Sequence, residues 1–198
     1  MKLTGSSQLS TRNDRVRFLL VSIIILLLVQ PAHPWFLDRG LESTVNQMKQ
    51  LFRQKELMCL YSEYVDPVLK NDIHRLVDRM KKDGRNGGRI ARRIGFPHYT
   101  AMKRADHELI VSHFFETMMH PSGKKPSGIK NESYLRLALA LSLLFAHLDE
   151  GMKITDKRID RQHAEIIYRG NSFTMAACYV YRNGRWLLSD DRHCTGKN

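Results

Sequence analysis

Histidine and cysteine are the residue types here that could ligate a metal or attack a substrate, and their spacing favours neither role. The chain has nine histidines and three cysteines. His107, His113 and His120 share a region, but separations of six and seven residues do not place two ligands on one helical face. No Cys-x-x-Cys, His-x-x-x-His or Gly-x-Ser-x-Gly sequence occurs. We therefore predict no catalytic residue, no metal site and no cofactor.

The densest charge lies in a basic segment, residues 81–104, which we expect to be a Gly-rich exposed loop. Asp83 is its single acid, and Arg89, Arg92 and Arg93 would share one side if this part turned helical. Phe96, His98 and Tyr99 add rings, as in nucleic-acid binders. A solvated flexible loop is the alternative to a binding role. The residues that we predict to bind an anion or a partner are Lys81, Lys82, Arg85, Arg89, Arg92 and Arg93.

The net charge of the whole chain also favours binding to an anionic partner. Lys and Arg number 32 against 20 Asp and Glu, which gives a net charge of +12 over 198 residues. Nucleic acid, anionic lipid and an acidic protein are the partners that such an excess favours. The 42% hydrophobic content is enough for a folded core, so the composition favours a folded domain over a wholly disordered chain.

An apolar run at residues 18–29, FLLVSIIILLLV, predicts a membrane segment near the N-terminus. Extended to residue 37 it is long enough to span a bilayer, with Trp35 at the interface. We favour an uncleaved signal anchor at 18–37, with a secreted, cleaved form as the alternative. Basic residues in the tail 1–17 keep that tail in the cytoplasm and export residues 38–198 as one periplasmic or other extracytoplasmic domain.

The exported part begins with helical periodicity and ends with strand alternation. Apolar spacing predicts about four helices: residues 41–65, a second beginning at Pro67, residues 103–119, and a last helix beginning near Asn131 or Ser133. The last helix is apolar nearly all round, so we expect it to be the most buried.

Residues 151–190 alternate with a period of two and predict a four-stranded antiparallel meander. Asn183-Gly184 is a strong hairpin signal, and a two-residue turn there pairs Tyr181 with Trp186. Helices first and a meander last make an α+β fold, with the helices on one face of a curved sheet. The predicted hairpin core is Tyr179, Tyr181, Trp186 and Leu188.

Residues 154–190 resemble the C-terminal half of the nuclear transport factor 2-like (cystatin-like) superfamily. The matching positions are Ala164 in the second strand, then Asn183, Gly184 and Trp186 in the final hairpin. The resemblance implies a cone of helices against a strongly bent sheet, and the superfamily includes isomerases, binding modules and scaffolds. The order of parts is also similar to that of the bitopic inner-membrane subunit of type IV secretion systems.

The three cysteines allow one disulfide in an oxidising compartment. We favour a bond that includes Cys194, with either Cys178 or Cys59 as its partner.

Three functions are consistent with these patterns. We favour a membrane-anchored, non-enzymatic binding or scaffolding domain in an envelope or secretion-like assembly, which has protein partners or self-associates and has anionic lipid as a further ligand. A small isomerase or dehydratase of the same cone fold is the alternative, and it needs a deep cavity with converging acid and base groups. Nucleic acid is the least favoured partner, because it requires the reverse topology.

Overall fold

The computed structural model describes residues 34–119 and 131–190, and this part of the chain confirms the α+β class and the antiparallel meander. Internal contacts group the chain into two units, residues 1–37 and 38–198. The seven described α-helices, rather than the predicted four or so, are α1 (Pro34–Arg53), α2 (Leu57–Tyr64), α3 (Pro67–Lys82), α4 (Gly87–Arg93), α5 (Tyr99–Arg104), α6 (His107–Met119) and α7 (Glu132–Leu144). A short 3-10 turn, Ala146–Leu148, precedes the strands β1 (Lys153–Asp160), β2 (His163–Arg169), β3 (Thr174–Arg182) and β4 (Arg185–Ser189).

The predicted membrane segment lies almost wholly outside the described residues. Its apolar run, residues 18–29, is not described, and its last four residues, 34–37, belong to α1. Within residues 34–119 and 131–190, no helix combines the length and apolar character that a membrane span requires.

The predicted single helix 41–65 is wrong, because α1 ends at Arg53 and α2 begins at Leu57. Lys55 has φ 64°. The N–H of Lys55 donates to the carbonyl of Phe52, and the N–H of Glu56 donates to the carbonyl of Leu51, both at 3.0 Å. This pair of bonds is a Schellman motif, which satisfies the last carbonyls of α1 and ends it. Apolar spacing continues across the break, so periodicity alone did not reveal it.

Two helices begin where the sequence predicts, at Pro67 and next to Asn131, and each start is capped. Asp66 precedes Pro67, and its Oδ1 accepts the N–H of Val68 at 2.7 Å. Asn131 caps α7, with its Oδ1 accepting the N–H of Tyr134 at 2.6 Å. Each cap satisfies a backbone donor that has no partner within its helix, which is why the helices begin at these positions.

The sheet has the strand order β1-β2-β3-β4, and its last hairpin has the predicted register. Tyr181 lies opposite Trp186 and Tyr179 opposite Leu188 across the Asn183-Gly184 turn. Trp186, Tyr179 and Leu188 are buried, whereas Tyr181 is half-buried. These side chains share what we call the inner face of the sheet, because the helices pack against it.

Contacts from α1 identify the inner face. Gly40 in α1 lies against the indole of Trp186, so that a side chain built at Gly40 would come within 3.7 Å of Nε1. Lys157 of β1 forms ion pairs with Asp38 and Glu42 of α1. The largest fully buried side chains of the core include Leu41, Met48, Leu60, Tyr61, Ile73, Tyr168, Tyr179 and Trp186.

Helix α7 contradicts the prediction that it is the most buried helix. It buries Tyr134, Leu137 and Leu141 on one face. On the nearly opposite face Leu135, Leu139 and Leu143 form an exposed stripe, each with 49–58% of its surface accessible. A helix that is apolar all round is normally covered all round, and here the domain covers only one side of it.

Candidate binding surface

The basic segment 81–104 is folded, which corrects the prediction of a loop. It contains α4 and α5, separated by five residues. The side chains of Ile90, Ile94 and Met102 are fully buried or nearly so, and Ala91 and Phe96 are also buried. Burial of these apolar groups fixes both short helices to the domain, although neither is long enough to be stable alone.

Helix α4 has only seven residues and ends in a specific hydrogen-bonded motif. Gly95 has φ 89°. Its N–H points to the carbonyl of Arg92 at 3.4 Å, and the N–H of Phe96 donates to the carbonyl of Ala91 at 2.8 Å. This is a second Schellman motif, here with the glycine that such a position favours. The sequence signal for α4 was the apolar spacing of Ile90, Ala91 and Ile94, followed by Gly95. The segment is too short for a helical period to be recognised, so this signal did not predict the helix.

Tyr99 connects the two ends of the basic segment. Its hydroxyl donates to the carbonyl of Lys81 at 2.6 Å, and its ring lies directly against Gly87. Lys81 in turn donates from Nζ to the carbonyl of Ala105 at 2.6 Å. The start of α4, the start of α5 and the end of α3 are therefore held together by one aromatic side chain and one lysine.

Six cations of this segment remain exposed on that fixed scaffold. None of them takes part in an ion pair between described residues. Lys103 lies over the ring of Tyr99, at 5.6 Å from the ring centroid. We call the six together the basic face: Lys82, Arg85, Arg89, Arg92, Lys103 and Arg104. Of the predicted binding residues, Lys81 and Arg93 are half-buried and lie outside this face.

Asp83 is the single acid within the segment, and both its carboxylate oxygens have partners other than these cations. Oδ1 accepts the backbone N–H of Arg85 at 3.1 Å. Oδ2 accepts the side-chain amide of Asn131 at 2.5 Å. Asp83 therefore has a structural role, joining the end of α3 to the start of α7, and it leaves the charge of the basic face largely unopposed.

A histidine pair, one residue from each helix, lies between α3 and α6. His74 and His107 stack with ring centroids 4.5 Å apart, and Nε2 of His107 lies 2.8 Å from Oδ1 of Asp78. The hydrogen bond from His107 lowers the pKa of Asp78. Burial, followed by the electrostatic effect of the neighbouring His107, lowers the pKa of His74. No cluster of three or more potential ligands suited to a metal occurs among residues 34–119 and 131–190, and His120 is outside them.

A second polar cluster is enclosed in the core and was not apparent in the sequence. Nε2 of His147 lies 2.9 Å from the hydroxyl of Tyr179, which is 3.5 Å from the hydroxyl of Tyr168. Burial, with a smaller contribution from Lys49, lowers the pKa of His147 to about 3. All three side chains are almost completely inaccessible. These two hydrogen bonds satisfy polar groups that burial would otherwise leave without partners.

Two of the three cysteines fall in the described part of the chain. Cys59 is a half-buried free thiol in α2, and burial raises its pKa. Cys178 is buried in β3 and is disulfide-bonded. Cys194 lies outside the described residues, so its pairing with Cys178 stays a prediction, and the alternative pairing with Cys59 does not fit the free thiol.

The strongest organised feature open to a ligand is therefore the basic face on α4, α5 and their flanking residues. Comparison with known proteins adds no further assignment: no protein-family model, curated protein or solved structure matches this chain.

Proposed function

We propose that this chain is a non-enzymatic binding or scaffolding domain of the nuclear transport factor 2-like type, held to a membrane by residues 18–37. The N-terminal tail is then cytoplasmic and residues 38–198 are extracytoplasmic. The observation that carries the binding role is the basic face: six exposed cations, four of them on two short helices whose apolar sides are buried and two just before the first of these helices.

The cations are attached to helices that are fixed by burial, and this favours a binding role over that of a surface that only contacts water. Long basic side chains on a mobile loop lose much conformational freedom on binding, whereas those on a fixed scaffold lose less. The bonds from Tyr99 and Lys81 set the spacing of the charges before a partner arrives. A cationic surface of this kind accelerates encounter with an anionic partner and is weakened by salt.

An acidic protein surface fits the basic face better than a bilayer. Helices that lie on membranes combine cations with exposed apolar side chains that enter the acyl region. Within residues 81–104 the large apolar side chains are buried, and none is among the exposed ones. The face therefore offers charge and hydrogen-bond donors without an inserting group.

Binding of poly-L-glutamate to residues 38–198, followed by calorimetry at low and high salt, tests the proposal. We expect saturable binding that weakens as salt rises. Replacement of Arg89 and Arg92 by Glu should reduce the affinity at least tenfold. Lys153→Glu with Arg169→Glu is the matched control, since it makes the same change of charge on the exposed ends of two paired strands.

Equal losses in the two double variants would contradict a defined basic face and indicate attraction by net charge alone. Binding to phosphatidylglycerol vesicles without binding to poly-L-glutamate would replace the acidic protein with lipid as the ligand. The topology is tested separately by a reporter fused after Asn198, which should be active only outside the cytoplasm.

A further inference from the structure

A groove of about 370 Å³ lies beside the turn that joins β2 to β3, and the function proposed above does not use it. It is lined by the end of α1, by residues around 149–152 and by the turn 170–173. Two aromatic side chains, Phe52 and Phe173, and the buried Met152 are among its lining groups. Small-molecule sites are concave, mostly apolar and of this size, with a few polar groups. The groove therefore has the dimensions and lining of a site for a small ligand.

Phe173 is fixed at the wall of the groove although it is exposed. It keeps 51% of its surface accessible. The N–H of Gly170 donates to the carbonyl of Phe173 at 2.9 Å, which closes the turn. A side chain built at Gly170 would come within 3.8 Å of Cε1 of Phe173 and within 2.8 Å of Sδ of Met152. Because glycine leaves this space free, the ring and the thioether pack against the turn, and half of the ring surface stays open to a ligand.

Asp149 supplies a negative charge at the same groove. Its Oδ1 accepts the backbone N–H of Gly151 at 2.8 Å, which holds the carboxylate in place. Asp149 forms no ion pair with another described residue. Arg53, which follows Phe52 at the end of α1, pairs with Glu150 at 2.8 Å. The carboxylate of Asp149 is therefore available to a positively charged ligand.

These groups together select a cation. The faces of aromatic rings attract organic cations, and recognition of quaternary ammonium groups uses this attraction. A carboxylate beside the rings adds attraction for a cation and repels an anion. We propose that the groove binds a small organic cation, an ammonium nitrogen carrying methyl or other short alkyl groups, against Phe52, Phe173 and Asp149.

The ligand that fits is a free cation rather than a choline lipid headgroup. In such a headgroup a phosphate lies close to the ammonium group, and Asp149 would repel it. The net charge of +12 also repels cations, but at physiological ionic strength salt screens charges that lie more than about 8 Å away. Binding therefore depends on contacts within the groove, and it should weaken less with added salt than binding at the basic face.

Equilibrium dialysis of radiolabelled choline against the full chain tests the proposal. We expect saturable binding that unlabelled choline displaces at least tenfold more effectively than 3,3-dimethyl-1-butanol, a neutral molecule of the same shape in which carbon replaces nitrogen. Phosphocholine should also displace it less well than choline. Absence of saturable binding, or equal displacement by the neutral alcohol, would overturn the proposal. Displacement by phosphocholine equal to or better than that by choline would overturn the choice of a free cation.

Two variants locate the site. Asp149→Asn removes the charge and keeps an oxygen that can accept the N–H of Gly151, and Phe173→Leu removes the ring and keeps an apolar side chain. Each should weaken choline binding about fivefold or more. Asp160→Asn is the matched control, because it makes the same change of charge at an exposed position at the far end of β1 and should leave binding unchanged. Native affinity in both groove variants, or an equal loss in Asp160→Asn, would show that choline does not bind in this groove.

Discussion

The β3–β4 hairpin and the basic segment are both fixed to the core, but they divide their side chains differently. The hairpin buries residues on both faces of the sheet, so that Trp186 and Leu187, which are adjacent, are both inaccessible. The basic segment buries Ile90 and Ile94 on one side and leaves Arg89 and Arg92 exposed on the other. The hairpin stabilises the domain through burial on both of its faces. The basic segment is fixed by burial on one side, and this burial holds its exposed charges in place on the other.

This difference separates stability from binding within one small domain. Substitutions in the hairpin should lower the free energy of unfolding. Substitutions on the basic face should lower affinity for an anionic ligand and leave unfolding almost unchanged. A substitution at the contact between Gly87 and Tyr99, beneath the basic face, should affect both the free energy of unfolding and the affinity.

Replacing Trp186 with Ala should have the largest effect, because it removes the largest fully buried side chain next to Gly40 and Tyr181. We expect a loss of about 3–5 kcal/mol in the free energy of unfolding, measured by urea denaturation. Arg185→Ala, at the exposed neighbouring position, is the control and should change it by less than about 0.5 kcal/mol. Similar losses in both variants would contradict the assignment of Trp186 to the core.

His147 should make stability depend on pH. Burial lowers its pKa to about 3 in the folded chain, from 6.5, so between these values the unfolded chain binds the extra proton. The free energy of unfolding should therefore fall as pH is lowered from about 6.5 towards about 3, by up to ~1.4 kcal/mol per pH unit from this group. It should be unaffected by this group above about pH 7.

The comparison is urea denaturation of the native chain and of His147→Gln across this pH range. Gln keeps a hydrogen-bonding group near Tyr179 but does not titrate, so its unfolding should depend less steeply on pH. An identical slope in native chain and His147→Gln would show that His147 is not neutral and buried.

Gly87→Ala should weaken both properties, because a Cβ there would overlap the ring of Tyr99. That ring is held by its bond to Lys81 and has little room to move. We expect a loss of about 1–3 kcal/mol, seen in thermal unfolding, together with weaker binding of poly-L-glutamate. Gly88→Ala has nothing within 4 Å of its Cβ and should instead stabilise by up to about 1 kcal/mol. Unchanged unfolding and binding in Gly87→Ala would contradict the role of this contact.

Arg89→Ala with Arg92→Ala should have the smallest effect on stability, less than about 0.5 kcal/mol, because both side chains are exposed and make no ion pair with described residues. Poly-L-glutamate affinity should nevertheless fall several-fold. Loss of stability on the scale of Trp186→Ala would mean that these arginines support the fold rather than bind a ligand.

The hairpin was predictable from sequence because its determinants are local. The Asn183-Gly184 turn sets the register, and alternating residues then define the two faces. The starts of α3 at Pro67 and of α7 near Asn131 were predictable for the same reason, because a proline in the first turn and a capping residue act on backbone groups only a few positions away.

The basic face was only partly predictable. Its cations were evident, but α4 has seven residues and α5 has six, too few to show a helical period, and their stability comes from burial against distant residues. The end of α1 was not predictable from a glycine, because a lysine, Lys55, occupies the position with positive φ. The apolar sequence of α7 could not distinguish burial on all sides from a helix with Leu135, Leu139 and Leu143 exposed.

Strand β1 affects how copies of this protein behave at high concentration. It lies at the edge of the sheet, so one side of its backbone has no neighbouring strand among the described elements. Lys153, Asp156 and Arg158 are exposed along it, and the pairing register shifts between Ile154 and Asp156. An incoming strand from another copy would meet charges and an irregular backbone, which oppose edge-to-edge growth into fibrils. The strand that contributes least to the core thus helps to keep the protein from aggregating.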